Sequence, residues 1–181
     1  INPMTDRSTN CDAELSRDLR VLVEELAQKH TATLDQPART PTPLDTLERW
    51  RQQLRQAYQR FVQRSEAEKT LSGAGEWLLD NFYVVQTAAR QVEKNLPAGY
   101  YHRLPRLTET ELAGYPRVYA IARALVRYFD GHLDLDQIVA LLRVYQESRP
   151  LSMGELWALP TMLRLVLIEL LAQTVTGITD L

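Results

Sequence analysis

Cysteine is nearly absent from this chain. Cys11 stands alone, so no intramolecular disulfide can form, which fits a reducing compartment. Histidine is sparse too: His30, His102 and His132 lie far apart with no HExxH and no cysteine partner, so zinc has no ligand pattern to bind. With 7 glycines in 181 residues there is no GxGxxG and no GxxxxGK[ST], which excludes the usual phosphate cradles. Excess positive charge is missing as well. A formal net charge of -2 removes the electrostatic case for nucleic acid. No signal-peptide pattern opens the sequence. The apolar run near the end is interrupted by Pro160, Arg164 and Glu169. A charge at mid-bilayer costs roughly 2.5 kcal/mol or more, so a buried helix is expected there and no membrane span.

Sustained period-two alternation and Asn-Gly turns are also lacking, which excludes an extensive sheet. What is present is helical periodicity. Leu15, Leu19, Leu22 and Leu26 mark an amphipathic helix from about Asp12 to His30. Residues 31–43, TATLDQPARTPTP, carry three prolines and no period, so they read as a linker or extended surface segment. Thr42 caps a helix with Pro43 in its first turn, and Leu47, Trp50, Leu54, Tyr58 and Phe61 carry it to about Lys69. Ser72-Gly-Ala-Gly75 reads as a break. Leu78, Leu79, Phe82, Val85, Ala89 and Val92 then face a core. Pro116 opens a helix that stops at Asp130-Gly131, and Asp134 to Gln137 has capping-box spacing for another.

The organising stretch is residues 151–171, LSMGELWALPTMLRLVLIELL. Ser152 and Glu155 form a capping box, and the apolar positions beyond it reach nearly all round the cylinder, as in a helix surrounded by others. A kink is expected where Pro160 forfeits its bond to Leu156. The fold class is therefore all-α: about six helices, the last of them buried. Residues 1–43 form an N-terminal helix and Pro-rich linker, and residues 44–181 a helical domain. The chain begins at Ile1 rather than Met, and is expected to be a piece of something larger.

The candidate site residues are polar or aromatic groups set among apolar helices: Glu76, Trp77, Asp80, Tyr100, Tyr101, Arg103, Tyr115, Arg117, Glu155, Trp157 and Arg164. Arg164 cannot discharge and is expensive to bury alone. Its expected partner is Asp80 or Glu76, with Glu155 next. The tyrosine-rich loop 97–107 reads either as an ordered connection packed on the helices or as a platform for a flat ligand. Glu76 and Asp80, four apart, have roughly the 6 Å Cβ spacing of a helix pair. That approaches the carboxylate spacing of retaining glycosidases, but any helix with two acids matches it.

Read together, GEWLLDNFYVV (75–85), LPAGYYHRLPRL (96–107), AGYPRVYAIARAL (113–125) and residues 151–171 resemble the N-terminal region of bacterial cyclic β-1,2-glucan synthases and their large glycan-processing relatives. The resemblance covers about residues 44–176; residues 1–43 carry none of it. It implies a helical region ahead of a membrane-embedded glycosyltransferase, on the cytoplasmic side of the bacterial inner membrane. UDP-glucose would be the donor substrate of the parent, and no cofactor is expected in this region. No catalytic residue is carried over, because the glycosyltransferase aspartates and QxxRW-type motif have no match here. Two functions follow as expectations. One is a non-catalytic module that supports or docks to the transferase, with the remaining domains of the parent as partners. The other is a β-glucan-binding surface built from Trp77, Tyr100, Tyr101, Tyr115, Trp157, Arg103 and Arg117.

Overall fold

The computed structural model describes residues 17–67 and 72–179. Cys11, Leu15 and the expected helix start at Asp12 lie outside them, as does Lys69. Among the described residues the fold is essentially all-α. The elements are α1 (Arg17–Lys29), β1 (Ala32–Thr33), α2 (Pro43–Glu66), α3 (Gly73–Asn95), α4 (Ala98–Tyr101), β2 (Arg106–Leu107), α5 (Arg117–Tyr128), α6 (Leu135–Ser148) and α7 (Met153–Thr179).

Local chemistry sets most of the boundaries. Thr42 and Asp45 form a reciprocal capping box at the start of α2, with Pro43 supplying a preset φ. Ser72 caps α3 through the amide of Gly75. The expected break at residues 72–75 is thus the first turn of α3. The two helices approach closely there: a Cβ on Gly75 would sit 3.1 Å from the Phe61 ring, tighter than ordinary contact. Asp130 and Gly131 both adopt positive φ and end α5, and Asp134 accepts from the amides of Asp136 and Gln137 to start α6. At α7 the box forms in both directions: Ser152 N donates to Glu155 Oε2 at 2.9 Å, and Glu155 N to Ser152 Oγ at 3.3 Å. Helix α7 then runs unbroken through Pro160, which lies on an exposed turn.

Helix α7 packs against α2, α3 and α5, while α1 lies on α6. By length and composition α7 also qualifies as a bilayer span, but 56% of its most apolar stretch is buried inside the fold. Its apolar surface is largely consumed by helix packing. Ala158, Leu159, Met162, Leu165, Val166, Ile168, Ala172 and Val175 point into one core with Leu54, Phe61, Leu78, Ala89, Ile121 and Leu125.

The proline-rich segment is stitched to the loop before α5. Strands β1 and β2 pair antiparallel, Ala32 opposite Leu107 and Thr33 opposite Arg106. Arg39 N donates to Gly114 O at 3.0 Å, and Arg106 Nη1 to Gln36 O at 3.1 Å. Gly114 has φ +83°, and a Cβ there would meet Arg39 N at 2.9 Å, so this seam requires glycine. His30 and Arg149 fix α1 to α6, through the Tyr145 hydroxyl at 3.0 Å and the Ala27 carbonyl at 3.1 Å.

Candidate functional site

Two features separate in this fold, one buried and polar, the other open and apolar. The first is a buried pair at the helix starts. Arg117 opens α5 and Glu155 lies in the first turn of α7. Arg117 Nε donates to Glu155 Oε1 and Nη2 to Oε2, each at 2.8 Å, while Nη2 also reaches the Pro150 carbonyl at 3.1 Å. Burial alone would lower the guanidinium pKa. The hydrogen bonds and charge of Glu155 outweigh that and leave it raised. A second connection lies further along α7, where Glu169 accepts from the Tyr119 hydroxyl at 2.8 Å and sits 3.4 Å from Arg123 Nη1. Burial, with this bond, pushes the Tyr119 hydroxyl above its ordinary range.

The expected partner of Arg164 is corrected here. Arg164 is exposed and has no ion-pair partner among the described residues, and Glu155 pairs with Arg117 instead. The reason is geometric. Glu155 and Arg164 are nine residues apart, so at about 100° per residue they project from opposite sides of α7. Glu76 and Asp80 are exposed on α3, outside the buried network.

The tyrosine loop is anchored to the fold. The Tyr100 hydroxyl donates to the Gly154 carbonyl, Tyr101 is buried, and Tyr115 packs on Tyr119 with Arg39 over its face at 5.2 Å. Arg103 is exposed and folds back to the Gly99 carbonyl at 3.1 Å. Trp157 projects outward from α7, 73% exposed, and Trp77 is 47% exposed on α3. The structure therefore joins Arg117 to Glu155 and Tyr100 to the start of α7. It does not gather the eleven candidates into one cleft. Among the described residues, no group of three or more His, Cys, Asp or Glu side chains converges as metal ligands would.

The Tyr101 hydroxyl and Arg106 Nε are buried without a hydrogen-bond partner. Burial raises the Tyr101 pKa, so the group stays a neutral, unsatisfied hydroxyl. Tyr101→Phe is accordingly expected to stabilise the fold by about 1 kcal/mol, by removing a desolvated polar atom while keeping the ring. A rise in the urea midpoint at unchanged m-value would register it; a fall would mean that the hydroxyl has a partner in solution.

His30 supplies a pH dependence. Burial first, and the Arg117 charge second, pull its pKa from the ordinary 6.5 down to about 4. The folded value lies below the unfolded one, so protons favour the unfolded chain. Stability from this group is complete above about pH 6.5 and falls as the pH drops toward 4, by on the order of 3 kcal/mol in all. Urea unfolding across that window should show the loss, and His30→Gln should flatten it relative to the parent protein. Identical slopes for the two proteins would rule the assignment out.

The second feature is an open apolar groove of about 400 Å³ between α3 and α7. Trp77, Val84 and Ala88 line one wall, and Leu167, Leu170 and Leu171 the other, with only Arg164 and Thr174 adding polar chemistry. Trp77, Val84 and Leu170 are 47%, 43% and 37% exposed, so this is apolar surface left facing solvent. Spacing at 7 and 4 in α3, and at 3, 4 and 3 in α7 from Arg164 to Thr174, aligns each wall into a stripe. The sequence singled out Trp77 and Arg164, but not the groove they share.

The chain is 35% identical over 153 residues to the cyclic beta-(1,2)-glucan synthase NdvB of Rhizobium meliloti (strain 1021). It is similar to one region of that synthase. The aligned residues make up 84% of this chain but only 5% of the relative, so the chain spans a small part of that protein's length. No family model and no solved structure matches the chain. The resemblance is thus upheld as similarity to a region of a glucan synthase, but its expected limits are corrected: an alignment over 84% of the chain is longer than residues 44–176 and takes in part of residues 1–43.

Proposed function

We propose that this chain is a non-catalytic helical module of a cyclic β-1,2-glucan synthase-like protein, supporting or docking to its glycosyltransferase. The parent is a bacterial, membrane-associated enzyme that takes UDP-glucose as donor, and the module lies on its cytoplasmic side. The observation that carries this reading is the contrast between the buried polar bonds and the open groove. Arg117, Glu155 and Glu169 are engaged in helix-to-helix bonds, whereas the open concavity is almost wholly apolar. Acid–base chemistry needs poised polar groups in a cleft. An apolar groove between two helices suits a protein partner.

A β-glucan-binding role fits the same surface less well. Sugar hydroxyls need several donors and acceptors around an aromatic face, and beside Trp77 the groove offers Arg164 and Thr174 alone. The test is to delete the region corresponding to residues 44–176 from the synthase that carries it and to measure glucan synthesis at equal protein level. Synthesis should be lost, while Glu76→Gln and Asp80→Asn in the intact enzyme leave it unchanged. Full synthesis by the deleted enzyme, or loss in either carboxylate variant, would reject the reading.

A further inference from the structure

The α3/α7 groove has the form of a helix-binding seam. Its walls run about eleven residues, Trp77 to Ala88 and Arg164 to Thr174, or roughly 16 Å at 1.5 Å per residue. That is about three helical turns, enough for anchors at i, i+3 or i+4, and i+7. Arg164 stands among the lining residues with neither an ion pair nor a hydrogen bond to another described residue. A cation that apolar surroundings would desolvate on docking calls for an anionic counterpart on whatever covers it.

We propose that this groove receives an amphipathic helix from another part of the same synthase, with an Asp or Glu on that helix pairing with Arg164. This rests on the module reading above and adds the face and chemistry of the contact. Charge identifies the acidic side chain of the occupant. The source follows from length: the matched region is 5% of the related synthase, so most of such a polypeptide lies elsewhere and can supply a helix at high effective concentration. An anionic lipid surface fits less well. Glu76 and Asp80 stand exposed on the outer flank of the Trp77 stripe, where a membrane-surface helix would carry Lys and Arg.

The experiment places a benzophenone amino acid at position 170 of the synthase that carries this region, irradiates it and maps the adducts by mass spectrometry. Position 135, exposed on α6 and outside the groove, is the control. The expected adduct is a peptide of the same polypeptide from outside this region, with apolar residues at helical spacing and an acidic residue among them. Its yield should fall at least fivefold in Arg164→Glu and persist in Arg164→Lys. A lipid adduct, a glucan adduct, a crosslink to a second copy, equal yields at 135 and 170, or no adduct at 170 each overturns the proposal. Loss of synthesis on deleting residues 44–176 without the crosslink at 170 rejects this face alone; retained synthesis rejects the module reading beneath it.

Discussion

Glu155→Ala is expected to cost about 3–5 kcal/mol of unfolding free energy, because it leaves Arg117 buried and uncompensated. Arg117 is 9% exposed and Glu155 1%, and the two share a bidentate contact with both bonds at 2.8 Å. Glu155 has a second structural role, accepting from Ser152 N and Oγ at the start of α7. Its removal therefore also unties a helix cap, worth about 1 kcal/mol. The pair is not a source of net stability in itself, since desolvating two ions offsets much of their attraction. Replacing both partners by apolar groups, Arg117→Met with Glu155→Leu, should thus recover most of the loss and leave mainly the cap deficit. Urea denaturation of the two single variants and the double variant gives the coupling directly. A cost below about 1 kcal/mol for Glu155→Ala would mean that water reaches the pair.

The second large effect is on docking rather than folding. Leu170→Asp should cost the isolated chain only about 1–2 kcal/mol, because a side chain already 37% exposed gives up the rest of its burial and some helix propensity. In the synthase it should cut glucan synthesis at least tenfold, since a carboxylate would be buried in an apolar contact without a partner. The same substitution at Leu135, 73% exposed on α6, should leave synthesis intact. Equal losses at both positions would point to general destabilisation and against a dedicated face. Unchanged synthesis in Leu170→Asp would remove the groove from the function.

Much of the helix layout was legible because each signal acts locally. Thr42-Pro43, Ser152-Glu155 and Asp130-Gly131 settle helix ends through bonds or backbone geometry within a few residues, and each lies where its chemistry predicts. Where the structure departs, the cause lies further along the chain. Ser72-Gly-Ala-Gly75 forms the cap and first turn of α3, with Gly75 packed closely on Phe61 of α2. The proline-rich segment has no period of its own, yet it is bonded to a loop about 75 residues away.

The candidate site divides in the same way. Arg117 and Glu155 were both recognised as polar groups in apolar surroundings, but their pairing spans 38 residues and no periodicity links them. Helix geometry alone separates Arg164 from Glu155, since nine residues place the two on opposite sides of α7. The sequence by itself determined an all-α chain with a capped, apolar final helix and similarity to a glucan synthase region. Only the tertiary structure decided which charges were spent inside and which apolar positions were left uncovered. Helical spacing reports the face of one helix, whereas burial depends on which neighbours cover it. On α7 those neighbours are α2, α3 and α5, and they leave Leu167, Leu170 and Leu171 beside Trp77 as an open groove.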